Sequence, residues 1–346
     1  MAPVEDVVMN RAITVIITAY NLETYIDNCM QELQGQTFQN FSILVVDDAS
    51  TDKTLSRIME WKKTFGNRMN VISLKQNLGM PALARNTALE SGLVDGSYVL
   101  FLDGDDSIEP HMLEKLYEAV VKNNAGVSIC AYDRVDASKA RRVSVEMQGF
   151  PKCVDGDEIN DIIPFINTAP WNKLWKKDVI DGLRYSSFRV GEEVAFNFFA
   201  YIRCERVCFL DEVLIHYRVR NNSVIAATDE NSIWMLADEL AKLHKNVDSL
   251  HKDAFEMVSF IHVGLSMALR AALNPNICLR IHIKKTAAYF SQRYNWLKSN
   301  RVCTFFNLSK RGLKGLAIWG CLLLYRLNMF ALPLFIYKKM NLKIKF

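Results

Sequence analysis

Over the first 135 residues, short continuous apolar runs alternate with polar turns and with stretches of helical spacing. Ile13-Thr14-Val15-Ile16-Ile17-Thr18 is apolar or β-branched throughout, the pattern of a strand covered on both faces. Ser42-Ile43-Leu44-Val45-Val46-Asp47, Val71-Ile72-Ser73-Leu74, Ser97-Tyr98-Val99-Leu100-Phe101-Leu102 and Val127-Ser128-Ile129-Cys130-Ala131-Tyr132 repeat it. Between them the spacing predicts helices. One runs from about Glu23 to Leu33, and the next reaches Trp61 after the turn and cap residues Asp48, Ser50, Thr51 and Asp52. Pro81 opens a third helix that Gly92 can end, and Pro110 begins a fourth. This alternation predicts an α/β fold: a Rossmann-like, mainly parallel sheet flanked by helices.

From Ala137 to Gly156 polar residues dominate, which reads as a loop or a small β excursion over the sheet edge. Ile162 to Tyr217 mixes helix and strand signals, and after Thr228 the chain reads as helical to about Leu297. Leu313 to Tyr337 is apolar again, but Lys314 and Arg326 interrupt it and Pro333 would kink it. A spanning helix needs ~20 apolar residues, and splitting at Arg326 leaves two pieces too short to span. Three regions are expected: a sheet-based domain over 1–225, a helical C-terminal region over 226–300, and a basic apolar tail over 301–346.

The formal net charge of +4 hides a division along the 346 residues. No Asp or Glu follows Glu256, and the last 90 residues hold 15 of the 42 Lys and Arg. The first 256 residues are therefore at −11 and the remainder at +15. A purely basic segment can meet nucleic acid or an anionic membrane. Here the apolar stretch lies between Lys310, Arg311 and Lys314 on one side and Lys338, Lys339, Lys343 and Lys345 on the other. That arrangement suits helices lying in the interface of an anionic leaflet. No nucleic-acid recognition motif accompanies it, so no nucleic-acid partner is expected. None of the eight cysteines forms a CxxC pair and most have apolar neighbours. Reduced, buried thiols in a cytoplasmic protein are expected, rather than a disulfide framework or a zinc site. Glu5 and Asp6 precede the first apolar run, so no signal peptide is expected.

The chemistry gathers where strands end. Thr18-Ala19-Tyr20-Asn21 follows the first strand, Asp47-Asp48-Ala49-Ser50 the second, and Asn77-Leu78-Gly79 leads into a helix carrying Arg85 and Asn86. Asp103-Gly104-Asp105-Asp106 closes the fourth strand. Three carboxylates within four residues repel unless a cation sits among their oxygens. A buried strand delivers them to the carboxyl edge of a sheet, where open α/β folds bind ligands. The simplest reading is a divalent cation, Mn²⁺ or Mg²⁺, held for a phosphate-bearing substrate.

Together these segments make the chain resemble the family-2 inverting glycosyltransferases of GT-A fold, of the bacterial surface-polysaccharide type. Trp171-Asn172-Lys173-Leu174-Trp175, Gly191-Glu192-Glu193, and Tyr217-Arg218 with Ser223 extend the resemblance over roughly the first 225 residues. It implies a hexosyl- or N-acetylhexosaminyltransferase that moves sugar from a UDP-sugar to a glycan or lipid-linked glycan acceptor. It places the metal on Asp105, with Asp103 beside it and contacting the ribose. Asp48 would accept the uracil N–H, Thr18, Ala19 and Tyr20 would enclose the base, and Asn21, Asn77 and Gly104 would complete the donor site. Arg85 and Arg218 would meet phosphate. Inversion needs a base on the face opposite the leaving group. The family's usual Glu-Asp pair is Glu192-Glu193 here, so Glu193 is the expected base, one methylene longer than usual. His216 is either a further metal ligand or a packed strand residue, and Trp171, Asn172 and Lys173 either shape the acceptor side or are structural.

Two other readings stand beside this one. A nucleotidyltransferase also sets acids at strand ends, but it would open with a glycine-rich phosphate loop, and this chain has no glycine before Gly35. A catalytically weak sugar-nucleotide-binding protein would explain Glu193 in place of Asp.

Overall fold

The computed structural model describes residues 11–136, 141–188, 190–219, 230–274, 276–293, 300–327 and 329–340. Ser223 and the last two lysines of the tail lie outside them. The chain divides into two compact units. The first comprises Met1–Asp155, Ala169–Ser187 and Phe199–Arg220; the second comprises Gly156–Thr168, Phe188–Phe198 and Asn221–Phe346.

The first unit is α/β. Its strands are β1 (Ile13–Ala19), β2 (Phe41–Asp47), β3 (Met69–Ser73), β4 (Tyr98–Asp103), β5 (Ser107–Ile108), β6 (Val127–Asp136), β7 (Arg141–Glu146), β8 (Cys153–Asp155), β9 (Lys173–Lys176) and β10 (Arg206–Val219). Among the described residues they form one sheet in the order β3-β2-β1-β4-β9-β6-β10-β5, with β7 added to β6 and β8 to β10. Every residue of β1 and β2 is buried, as two-sided cover requires. The pairs β1–β2, β2–β3, β1–β4 and β6–β10 are parallel. β9 runs antiparallel to both β4 and β6, so the sheet is mixed and its parallel character sits in β1 to β4 and in the β6–β10 pair. Helices α1 (Ile26–Gln34), α2 (Thr54–Phe65), α3 (Pro81–Glu90) and α4 (Met112–Lys122) connect the early strands. α3 begins at Pro81, where the missing N–H has no intrahelical partner to lose.

One expectation is corrected. Cys153 on β8 and Cys208 on β10 form a disulfide, while the other six cysteines are free thiols. The two strands pair antiparallel with Cys153 directly opposite Cys208, their Cα atoms 4.1 Å apart. Register across a short edge strand brings them together, and no local spacing records it.

The second unit is helical. It holds the short α5 (Ile159–Ile162) and most of α7 (Glu192–Tyr201), whereas α6 (Lys177–Ile180) belongs to the first unit; α8 (Glu230–Leu243), α9 (Lys252–Ser259), α10 (Met267–Leu273) and α11 (Leu279–Arg293) follow. A π-helical segment, Phe260–Ser266, joins α9 to α10. The resulting rod, Lys252–Leu273, is long and apolar enough to cross a membrane by length and composition, yet 67% of its apolar window is buried within the protein. It is a core helix by that measure. The tail forms α12 (Phe305–Ser309), α13 (Gly312–Arg326) and α14 (Ala331–Met340). α13 stops at Arg326. The Tyr325 hydroxyl donates to the Gly264 carbonyl in the π segment at 2.6 Å and fixes α13 to the rod.

Candidate active site

Parallel register decides which residues meet at the carboxyl edge of the first unit. Thr18 lies opposite Val46 on β2 and Asp103 on β4, and Ala19 lies opposite Asp47. The chain steps outward from β1 to β2 and β3, then returns to place β4 on the other side of β1. The edge above β1 and β4 is thus a topological switch point, where such sheets bind ligands.

The loops after β1 and β2 are stitched together. The Asn21 N–H donates to Ser50 Oγ at 3.0 Å, and Asn21 Oδ1 accepts from the Thr51 N–H at 2.8 Å. The Leu22 N–H donates to Thr54 Oγ1 at 2.7 Å, and the Glu23 and Asp52 carboxylates each cap a backbone N–H of the opposite loop. Asn21 is left-handed (φ 53°), a conformation its side chain tolerates. Asn21 therefore holds the two loops in register. Thr18 and Ala19 are buried beneath them, and Tyr20 is 46% exposed, leaving its ring accessible.

Asp48 is the hub of this wall. Its N–H donates to the Ala19 carbonyl at 2.8 Å, and its Oδ1 accepts from the Leu78 N–H at 2.7 Å. The Asn77 amide donates to the Asp48 carbonyl at 3.0 Å, so Asn77 and Asp48 act as one element. Burial raises the Asp48 pKa, and hydrogen bonds from the Leu78 and Gly79 backbone only partly oppose it.

The acid turn after β4 is organised by two arginines. Arg85 on α3 is buried and donates to Asp103 Oδ1 at 2.6 Å, its guanidinium 5.5 Å from the Tyr185 ring. Arg85 is the buried partner of this pair, while the Asp103 side chain keeps 28% of its surface open. Arg85 thus holds Asp103, while its neighbour Asn86 clamps the Tyr185 backbone through both its amide groups. Asp106 is buried, and its Oδ1 accepts from the Arg218 N–H at 3.2 Å. Burial, with the Asp103 charge beside it, raises Asp106 well above the ordinary carboxylate range. This contact ties the turn to β10 and brings Arg218 to it. Gly104 packs closely: a Cβ would stand 3.0 Å from Leu22 Cδ1, which would have to give by a few tenths of an ångström, and 3.5 Å from Ile26 Cδ1. Asp103 and Asp105, on either side of it, remain partly exposed.

His216 sits away from this pair of carboxylates in its bonding. Its Nδ1 meets Asp133 Oδ1 and its Nε2 meets Glu109 Oε1, each at 2.8 Å. Burial alone would lower its pKa, but the two carboxylates outweigh burial and raise it. Among the described residues, no three His, Cys, Asp or Glu side chains are grouped to hold a metal ion by themselves. A cation at Asp103 and Asp105 would therefore complete its coordination with substrate phosphate and water, as Mg²⁺ sites commonly do. Trp171 stacks on Tyr217, ring centroids 5.4 Å apart, and Asn172 exchanges hydrogen bonds with the Cys130 backbone. Lys173 is fully buried, its Nζ donating to Asn172 Oδ1 and the Ala169 carbonyl. These three residues lock β9 in place.

Glu193 belongs to the second unit. Gly191, just before α7, has φ +77° and faces Leu236 at 2.9 Å from where a Cβ would lie, so glycine is required there. The Thr168 hydroxyl donates to Glu193 Oε1 at 2.9 Å. Asn197, one turn along α7, donates from Nδ2 to the carbonyls of Thr168 (2.8 Å) and Glu193 (2.9 Å). The sequence gives no sign of Thr168, which follows no motif. Asn197 is visible only as the (i, i+4) neighbour of Glu193.

A family model described as Glycosyl transferase family 2 matches residues 14–190, just over half of the chain. The chain belongs to glycosyl transferase family 2. It is 29% identical over 242 residues to Glycosyltransferase GlyA of Streptococcus pneumoniae serotype 4, covering 66% of this chain and 34% of that one. It is 25% identical over 246 residues to the Poly(ribitol-phosphate) beta-glucosyltransferase of Bacillus spizizenii, covering 67% and 36%. The chain thus spans about a third of the length of these two curated relatives. Among solved structures, S. aureus TarS 1–349 in complex with UDP-GlcNAc superposes with a TM-score of 0.69 at 19% identity, covering 97% of this chain and 93% of that one. At that identity the likeness speaks for the fold, which is GT-A. The family-2 match includes every strand-end residue above except Arg218, and it ends three residues before Glu193.

Proposed function

We propose that this family-2 glycosyltransferase is metal-dependent and inverting. It transfers a hexosyl or N-acetylhexosaminyl group from a UDP-sugar to a hydroxyl of a glycan or lipid-linked glycan in bacterial surface-polysaccharide synthesis. The observation that carries this reading is the acid turn at the β1–β4 switch point, braced by Arg85 and linked to Arg218.

Asp103 and Asp105 are the residues that would hold Mn²⁺ or Mg²⁺. The bound ion supplies Lewis-acid neutralisation of the departing diphosphate. His216 would have to release a carboxylate to join them, so the weight of the metal falls on the two aspartates. Asp48 and Asn77 present the uracil contact, with Thr18, Ala19 and Tyr20 forming the wall beside the base. Arg218 meets the diphosphate. Glu193 takes the proton from the acceptor hydroxyl as that oxygen bonds to the anomeric carbon, and the electron pair of the broken bond leaves with UDP. UDP release should be seen from at least one of UDP-glucose, UDP-galactose and their N-acetyl forms with Mn²⁺, and EDTA should abolish it. Turnover that survives EDTA would remove the metal from the reading, and a preference for GDP-mannose would remove the uracil contact.

The tail supports work at the cytoplasmic face of a membrane, with the protein peripheral to it. α13 buries Gly315, Ile318, Leu322 and Tyr325 on one stripe and leaves Leu313 (87% exposed), Leu316 and Leu327 on the opposite face. Phe306 is 69% exposed on α12, and Leu332, Phe335 and Ile336 are exposed on α14. Lys310, Lys314 and Arg326 lie among these apolar groups, with no acid in the segment to oppose an anionic surface. Phosphatidylglycerol vesicles should sediment the wild type. Phe306→Asp with Leu313→Asp should lower that binding at least about tenfold. Undiminished binding by the double variant would refute the tail as the docking element.

A further inference from the structure

The base in this chain is a glutamate where an aspartate is usual, and the extra methylene adds a rotatable bond. Fixing a glutamate side chain costs up to about 1.5–2 kcal/mol of rotamer freedom. A catalytic group displaced by about 1 Å can lose on the order of 10²-fold in rate. Something in the second unit must hold the longer side chain in place.

We propose that Thr168 is a positioning residue for Glu193, held in turn by Asn197. The proposal rests on the reading of Glu193 as the base. The Thr168 hydroxyl has one proton, and the structure directs it to Glu193 Oε1 at 2.9 Å. This leaves Oε2 to receive the acceptor proton. Thr168 is fixed as well. Both protons of the buried Asn197 amide are used, one on the Thr168 carbonyl and one on the Glu193 carbonyl. Asn197 thereby joins the Thr168 loop to the first turn of α7 and sets the distance over which the hydroxyl must reach.

The neighbouring histidine does not supply a positive charge instead. His262, in the π segment, is held near a pKa of about 4 by burial, with the Glu193 charge pulling it up and Arg270 pushing it down. The hydroxyl of Thr168 is the donor that the structure sets on Glu193.

The test is UDP release from UDP-GlcNAc and from UDP-glucose with Mn²⁺, measured as kcat and donor KM. Thr168→Val should lower kcat about 10- to 100-fold with donor KM within about twofold. Thr168→Ser, which keeps the hydroxyl, should stay within about threefold of wild type. In a Glu193→Asp background the shorter side chain no longer reaches Thr168, so Thr168→Val should there cost under about threefold. Wild-type kcat in Thr168→Val would overturn the proposal. So would an equal loss in both backgrounds, which marks a merely structural residue. Should Thr168→Val not fold, Thr168→Ala gives the same comparison. An active Glu193→Gln would sink the base assignment itself. An inactive Glu193→Gln beside an unaffected Thr168→Val would sink only the positioning role.

Discussion

Asp105→Asn is expected to lower UDP-sugar turnover by about 10²–10³-fold and to weaken the apparent affinity for Mn²⁺. The expectation follows from how the acid turn is arranged. Asp106 is buried, raised in pKa and committed to the β10 backbone. Asp103 is committed to Arg85. Asp105 is partly exposed in the same turn, and the proposed function sets the ion against it. Asparagine keeps its size and one acceptor oxygen but removes the negative charge, so the fold should survive and only charge neutralisation should suffer. A Mn²⁺ titration of UDP release, with the thermal midpoint of each protein alongside, reads both effects. Wild-type turnover in the variant would take the metal away from Asp105.

Glu193→Gln should lower kcat by about 10²–10⁴-fold, the range that a positioned general base contributes. Donor KM should change little, because the base acts on the acceptor and not on UDP. The substitution is chosen for what it keeps. Glutamine still offers an Oε1 to the Thr168 hydroxyl, so the geometry of the turn is retained while proton acceptance is lost. Glu193→Asp should retain part of the activity, since the chemistry is unchanged and only the reach is shorter. Steady-state rates for the three proteins decide it, and equal rates for wild type and Glu193→Gln would require a different base.

The first unit was largely legible in the sequence. β1, β2 and β4 are continuous apolar runs buried on both faces, and their parallel register alone carries Thr18, Asp47 and Asp103 to one edge. What escaped depends on pairings between distant segments. β9 begins with Lys173, for which the sequence leaves an acceptor-side role and a structural one open; here its ammonium is buried, which is rare for lysine, and donates to Asn172 and the Ala169 carbonyl. Arg85 reads as a phosphate ligand because nothing local reveals that Asp103, 18 residues on, is its partner. His216 reads as either a metal ligand or a packed strand residue, and nothing local reveals that Glu109 and Asp133 reach it from segments far away in sequence. Thr168 and the Cys153–Cys208 disulfide likewise exist only once the chain has folded.

The stitching between the loops after β1 and β2 has a consequence for donor choice. Six hydrogen bonds between loops 21–23 and 50–54 make the wall proposed to lie beside the base a single body before any nucleotide arrives. Its conformational entropy is lost during folding, so little ordering of these loops remains to oppose binding. Under the proposed function, recognition of the nucleoside becomes a fixed property of the scaffold. Changes in which sugar is accepted can then arise in other loops without disturbing how the nucleoside is held.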